Sequence, residues 1–360
     1  MNPRGDLPRI RGMPVCRRPA PPQRWKVRAW WWCGLSLGAL LSSCAFNEPK
    51  CQLPPGVTPL PPCHSANDPT WRSFDGTPFP YVEKKPAHGE GKAVVILVPG
   101  WDAVTGDYEH LTETLADHGY IVCGSEIRAQ RYDPVVSRRG SAVPWHDWVR
   151  DLLAFSAWVR KRYPDKTIFY HGHSFGAVIV AETVAEEERA GKPPQVRGAI
   201  LQSPAFPMMD RDPHGLEVTL GHSLGFVRIA QVTLAENSHV GPVGEAVDNC
   251  RWFHSTDRVH RGYSLAFLIE TVNLGHAARV SSRTLRMPVL AMEGQEDRVV
   301  THSPAEVKEY HEYLTHELCG GHATVKVYPN GYHLITEGKS RKVAERDILS
   351  WLDGQLGRGG

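Results

Sequence analysis

A chain of 360 residues is long for one domain and short for two independent ones, so it fits one core of about 270 residues carrying an insertion. An apolar fraction of 41% can fill such a core and excludes a globally disordered chain. The formal net charge is +2, but residues 1–43 carry eight Lys/Arg against Asp6 alone, a net of +7, which leaves the remainder at −5. A mildly acidic body without clustered Lys/Arg has no electrostatic reason to seek nucleic acid.

The basic leader runs through Arg4, Arg9, Arg11, Arg17, Arg18, Arg24, Lys26 and Arg28 into an apolar stretch from Ala29 to Leu41. Thirteen residues are too few to cross a bilayer as a helix, so residues 1–43 read as a secretory signal peptide. The stretch ends at Leu41-Ser42-Ser43-Cys44, which resembles the lipobox of bacterial lipoproteins, with Ser43 where Gly or Ala is commoner. On this reading Cys44 becomes the lipidated first residue and the protein is held on a membrane of the bacterial cell envelope, on the periplasmic side or at the outer membrane. The alternatives are cleavage by ordinary signal peptidase without a lipid, and a start at Met13. Residues 44–69, with Pro-Pro at 54 and 61, read as a tether.

An exported chain starting at Cys44 keeps Cys51, Cys63, Cys123, Cys250 and Cys319, an odd number, so at least one thiol stays unpaired. Cys51 and Cys63 flank the Pro-rich stretch and could close it; Cys250 and Cys319 are a second, unconstrained pairing. Cys123, inside Tyr120-Ile121-Val122-Cys123, reads as a buried apolar thiol. No CxxC pair or His/Cys spacing points to a metal site, and none of the motifs calls for a cofactor.

Trp71 to Tyr81 contains Asp75-Gly76 between two apolar arms, a β-hairpin signal. The apolar run Lys92–Trp101, which ends in a turn at Pro99-Gly100, reads as a strand buried on both faces of a parallel sheet. A helix is predicted from Tyr108 to His118, a strand at Tyr120–Cys123, a helix from about Trp145 to Tyr163, and strands at Thr167–Tyr170 and Gly198–Gln202. About eighty residues without strand alternation follow, and 205–285 is read as an inserted cap. Elements resume at Met287–Met292, followed by a helix near Ser303–Leu318, the strand Thr324–Tyr328 and a helix Ser340–Leu356. Residues 70–204 and 286–360 thus form the two parts of an α/β core: a mostly parallel sheet with helices on both faces and ligands at the carboxyl ends of its strands.

The chemistry centres on Gly172-His173-Ser174-Phe175-Gly176, which has a clean strand before it and a helix after it. This is the nucleophile-elbow pattern, a strained turn that lifts a serine hydroxyl clear of the sheet at a helix N-terminus. A second copy, Gly221-His222-Ser223-Leu224-Gly225, lacks that context and reads as a chance match. A serine needs a base to take its proton and a carboxylate to fix the base's tautomer. Asp297, directly after the 287–292 strand, and His333, directly after the 324–328 strand, supply both in the chain order Ser, Asp, His. Glu293 or Glu296 for the acid, and His322 for the base, are the rivals. The backbone N–H groups of Phe175 and Trp101 are the candidate oxyanion-hole donors.

Together these motifs resemble the monoacylglycerol lipase and lysophospholipase group of α/β-hydrolases, the branch that includes serine aminopeptidases. The likeness spans roughly 71–355 and rests on Asp75-Gly76-Thr77, the strand ending at Pro99-Gly100, Gly119–Val122, Trp148–Leu152, Gly172–Gly176, Ser203-Pro204, Asp297–Val300 and Gly331-Tyr332-His333. It implies an α/β-hydrolase fold and serine-esterase chemistry on single-chain lipids or small esters, with the cap shaping the acyl site. Two departures bear on the substrate. The family has His-Gly where this chain has Pro99-Gly100, and a Gly-rich Asp-x-Arg-Gly-x-Gly loop where this chain has Ser125–Gln130. A peptidase relative would need a carboxylate for the substrate's free amine, and the sequence leaves open whether Glu236, Glu245 or Asp248 provides it. The contrasting class is a lipid-binding lipoprotein that catalyses nothing.

Overall fold

The computed structural model describes residues 68–191, 196–206, 228–229, 263–297, 299–301 and 304–357. The signal peptide, Cys44, the tether, Ser223, Glu236, Glu245, Asp248 and most of the 205–285 segment lie outside the described residues. In chain order the elements are β1 (Thr70–Arg72), β2 (Pro78–Lys84), β3 (Ala93–Val98), α1 (Glu109–Asp117), β4 (Tyr120–Ser125), α2 (Trp145–Arg162), β5 (Thr167–His173), α3 (Phe175–Arg189) and β6 (Ala199–Gln202). They continue with β7 (Arg228–Ile229), β8 (Tyr263–Ser264), α4 (Leu265–Ser281), β9 (Val289–Gly294), α5 (Pro304–His316), β10 (Thr324–Tyr328) and α6 (Arg341–Gly357).

Eight strands form one sheet in the order β1-β2-β4-β3-β5-β6-β9-β10. The first two are antiparallel additions at one edge, and every pairing from β4 to β10 is parallel. The hairpin expected at Asp75-Gly76 is present, with Gly76 at φ 83. Along β3 the apolar run divides by parity. Val94, Ile96 and Val98 join one core with Trp148, Phe155, Phe175 and Phe267, while Ala93, Val95 and Leu97 join a second with Leu111, Ile348 and Leu352. Helices α2, α3 and α4 therefore cover one face and α1 and α6 the other. This explains why the central strands are apolar throughout rather than alternating.

Helix α4, at the end of the stretch read as cap, packs against α3 and α2, with Phe267 seated on the Trp148 ring at 5.5 Å. Cys123 is a buried free thiol, as its strand setting implied. Cys319 is also a buried free thiol, and Cys250, its candidate partner, lies outside the described residues.

The loop after β4 is the second departure noted above. Arg128, its side chain 2% exposed, donates to both oxygens of Asp151 on α2 and to Asp75 in the hairpin turn, each at 2.7 Å, and so clamps the hairpin to the helix layer. Burial pushes the Asp151 pKa up, opposed by this guanidinium. Ala129 occupies the left-handed region at φ 64, where glycine is normally used, and its N–H donates to the buried Asp133 carboxylate at 2.6 Å. Asp133 also accepts from Val135 N–H and from Arg138, so a carboxylate organises the loop where the family uses glycines.

Candidate active site

β5 enters the parallel sheet and stops at His173, and α3 begins at Phe175, so Ser174 alone makes the turn. It takes φ 53 and ψ −116, a conformation that costs an L-residue energy and that persists because the surroundings fix it. Its N–H donates to Gln202 O at 2.9 Å and its carbonyl accepts from Ala177 and Val178. The flanking glycines are sterically required. A Cβ on Gly172 would stand 2.6 Å from Ala177 Cα, and one on Gly176 would collide with the carbonyls of Val98 and Pro99.

His333 sits in the loop after β10, and its Nδ1 lies 2.8 Å from Asp297 Oδ2. Asp297, in the turn after β9, accepts through Oδ1 from the N–H groups of Val299 and Val300 at 2.8 and 3.0 Å. Burial raises the Asp297 pKa, but the His333 charge and these donors outweigh it and leave the carboxyl below its ordinary range. An ionised Asp297 can only accept, so the proton between the two groups belongs to His333 Nδ1, and Nε2 is left as the basic nitrogen. Ser174 and His333 are 6% and 8% exposed, and no hydrogen bond joins their side chains. Such bonds commonly tighten only when substrate binds.

The rivals fall elsewhere. Glu293 is buried with Oε2 at 2.9 Å from His311 Nδ1, and burial raises its pKa. Glu296 is exposed, and His322 is exposed with its N–H donating to the Cys319 carbonyl.

A second histidine, His173 in the elbow itself, links three loops of the site. His173 Nε2 donates to the His333 carbonyl at 3.1 Å, and its Nδ1 accepts from the Tyr108 hydroxyl at 2.7 Å. That hydroxyl in turn accepts from Gly100 N–H at 2.8 Å. Because the Tyr108 oxygen is already an acceptor from Gly100, its proton goes to His173, which fixes the histidine as the neutral Nε2–H tautomer. Burial, reinforced by the His333 charge, holds its pKa well below the ordinary value. No sequence signal marked Tyr108 beyond its place at a predicted helix start.

The same linkage seats the Pro99–Trp101 loop. A Cβ on Gly100 would lie 3.3 Å from Ser174 Cβ and 2.9 Å from His173 Nδ1, so only glycine lets this backbone approach the serine so closely. Phe175 N–H opens α3, and Trp101 N–H lies on the adjoining loop. Among the described residues neither N–H has an acceptor recorded. The Trp101 ring packs at 5.1 Å on Tyr263 and 5.3 Å on Phe267, away from this backbone function.

A parallel sheet with a strained serine between strand and helix, and a buried Asp–His pair on the loops after the last two strands, defines an α/β-hydrolase. The family described as serine aminopeptidase, S33, matches residues 89–339, and the chain belongs to it. Among characterised relatives, the monoglyceride lipase of Homo sapiens is 24% identical over 254 residues, covering 69% of this chain and 77% of its own. The monoacylglycerol lipase of Mycolicibacterium smegmatis is 22% identical over 266 residues, 74% and 89% of the two chains. Among solved structures, the Paleococcus ferrophilus monoacylglycerol lipase superposes with a TM-score of 0.60 at 19% identity, over 77% of this chain and 99% of that one. A thermostable carboxyl esterase from Bacillus coagulans gives 0.64 at 17% identity, over 80% and 97%.

Proposed function

We propose that this protein is a serine esterase that cleaves carboxylic esters of single-chain lipids, of the monoacylglycerol or lysophospholipid kind, through an acyl-enzyme on Ser174. The observation that carries the reading is the buried His333–Asp297 pair tied through His173 to the serine's own elbow. Ser174 Oγ attacks the ester carbonyl carbon while His333 Nε2 takes the hydroxyl proton, and Asp297 stabilises the resulting imidazolium. The tetrahedral oxyanion is received by the N–H groups of Trp101 and Phe175. Collapse breaks the C–O bond, and the leaving alkoxide takes the proton from His333. Water, deprotonated by the same histidine, then hydrolyses the acyl-enzyme and returns Ser174.

Esters are preferred over peptides for two reasons. An alkoxide leaves with less help than an amine, and the characterised relatives above are monoglyceride lipases. The 205–285 segment acts as a cap over the acyl chain, and lipidation of Cys44 would keep the enzyme beside its lipid substrates.

The test combines fluorophosphonate labelling with a substrate panel of p-nitrophenyl esters, monoacylglycerols, lysophospholipids and aminoacyl-anilides. Wild type should be labelled and Ser174→Ala should not, and His333→Ala should lose roughly 10⁴-fold or more in turnover. Labelling that persists in Ser174→Ala and vanishes in Ser223→Ala would refute the choice of serine. Turnover of anilides alone would make the enzyme an aminopeptidase with the same triad. A wild type that binds monoacylglycerol without labelling or turnover would make it a binding protein.

A further inference from the structure

We propose that Gln130 is a positioning residue for this reaction: through Asp102 it holds the peptide that carries the Trp101 N–H in the orientation the oxyanion requires. The proposal rests on the reading of Trp101 as an oxyanion donor.

Gly100 to Ala103 is a turn in which Ala103 N–H donates to the Gly100 carbonyl at 3.3 Å. That carbonyl belongs to the same peptide group as the Trp101 N–H. Holding the carbonyl on the inside of the turn therefore directs the N–H to the opposite side. The peptides on either side are held by side chains. Gly100 N–H is taken by Tyr108, and Asp102 N–H donates to Gln130 Oε1 at 2.5 Å. Asp102 occupies the third position of the turn at φ 53, where a glycine is normally required. Its carboxylate accepts from the Tyr263 hydroxyl at 3.1 Å. A non-glycine residue relaxes out of this conformation unless its neighbours prevent it, and relaxation at Asp102 would turn the Trp101–Asp102 peptide, break the bond from Ala103 N–H to the Gly100 carbonyl and so release the preceding peptide, which carries the Trp101 N–H.

The state of Gln130 supports a positioning role over simple packing. It is 1% exposed, and because the Asp102 N–H fixes the amide oxygen toward the turn, Nε2 points the other way and has no hydrogen-bond partner. A buried amide with an unpaired NH₂ is unfavourable, and an apolar residue of similar length would fill the space without that defect. What the apolar residue would lack is the acceptor for Asp102 N–H. Gln130 is itself held rigid: its N–H donates to Ile127 O, and its carbonyl accepts from Asp133 N–H in the carboxylate-centred loop.

The experiment compares the full-length wild type with Gln130→Met and Gln130→Leu, which remove the acceptor, and Gln130→Glu, which keeps an oxygen in its place. The readouts are kcat and KM on p-nitrophenyl butyrate, the Ki of an alkyl trifluoromethyl ketone whose serine adduct places an oxyanion in the hole, and thermal unfolding. Gln130→Met and Gln130→Leu should lose about 10- to 100-fold in kcat, less than the complete loss of one oxyanion donor, with KM within about 3-fold. The ketone's Ki should rise by the same factor as kcat/KM falls. Gln130→Glu should keep most of the wild-type kcat. An unchanged kcat in folded Gln130→Met overturns the proposal, as does an equal loss in Gln130→Glu and Gln130→Met, which would assign the effect to packing. If instead wild type is not labelled by fluorophosphonate at Ser174, the esterase reading itself fails and this proposal with it.

Discussion

The hydroxyl of Tyr108 is a single atom on which three parts of the site converge, and Tyr108→Phe removes it without changing the ring. The substitution leaves two buried groups without partners, Gly100 N–H and His173 Nδ1. Each unsatisfied buried group costs about 1–3 kcal/mol, so the expected loss is roughly 2–6 kcal/mol. With an unfolding entropy of about 2.1 cal/mol/K per residue, a folded body of roughly 290 residues converts that loss to a drop in Tm of about 3–10 °C. Activity should fall as well, by about 10-fold in kcat, because the Pro99–Trp101 loop and the His333 carbonyl lose their common anchor. Thermal unfolding by circular dichroism and hydrolysis of p-nitrophenyl butyrate measure the two effects on one sample. In the double variant Tyr108→Phe/His173→Leu the orphaned Nδ1 is gone, so its stability loss should be smaller than the sum of the two single losses. A Tyr108→Phe protein with wild-type Tm and wild-type kcat would show that the hydroxyl anchors neither loop.

Two further outcomes are expected. His171 is fully buried, and burial, only partly offset by the neighbouring Gln202 side chain, pushes its pKa from 6.5 down to about 4. The folded state thus refuses a proton that the unfolded chain accepts, so stability is full above pH 6.5 and falls by about 3 kcal/mol as the pH drops to 4. Urea unfolding of His171→Leu should have a correspondingly flatter pH dependence over that window, and an unchanged slope would refute it. At the other end of the chain, mass spectrometry of the mature protein from a bacterial host should find residue 44 as the N-terminus carrying a diacylglyceryl thioether, and an unmodified terminus near that position removes the anchor.

The fold was legible where physics is local. The apolar runs at β3 and β5 are continuous because helices cover both faces, and that pattern alone predicts a central parallel strand. The elbow was legible because its glycines answer to steric demands a few residues away, and Asp297 and His333 because each directly follows a recognisable strand. Helix α4 was not recognised. Its buried positions, among them Phe267, Ile269, Thr271, Leu274 and Ala278, are interspersed with half-buried apolar ones such as Leu265 and Leu268. The apolar stripe is therefore too broad to stand out as a periodic signal, and only its packing on α3 and α2 explains the helix.

What the sequence could not reveal is how the site is held together, because those bonds join residues that no local pattern relates. Tyr108 meets His173 across 65 positions, and Gln130 meets Asp102 across 28, each through one polar atom aimed by a separate element. Both pairs act on the same backbone, Gly100 through Asp102, one at each end. The two departures from the family pattern, Pro99-Gly100 and Ser125–Gln130, fall in the same two loops. A carboxylate, Asp133, now fixes the second loop, and a glutamine on that loop fixes the first. The two departures are therefore joined in one structural unit, because the bond from Asp102 N–H to Gln130 ties the Gly100–Ala103 turn to the carboxylate-centred loop. If that is correct, grafting a glycine at Asp102 should make Gln130 dispensable. Asp102→Gly/Gln130→Met should then lose less kcat than Gln130→Met alone, because glycine adopts φ 53 without a clamp.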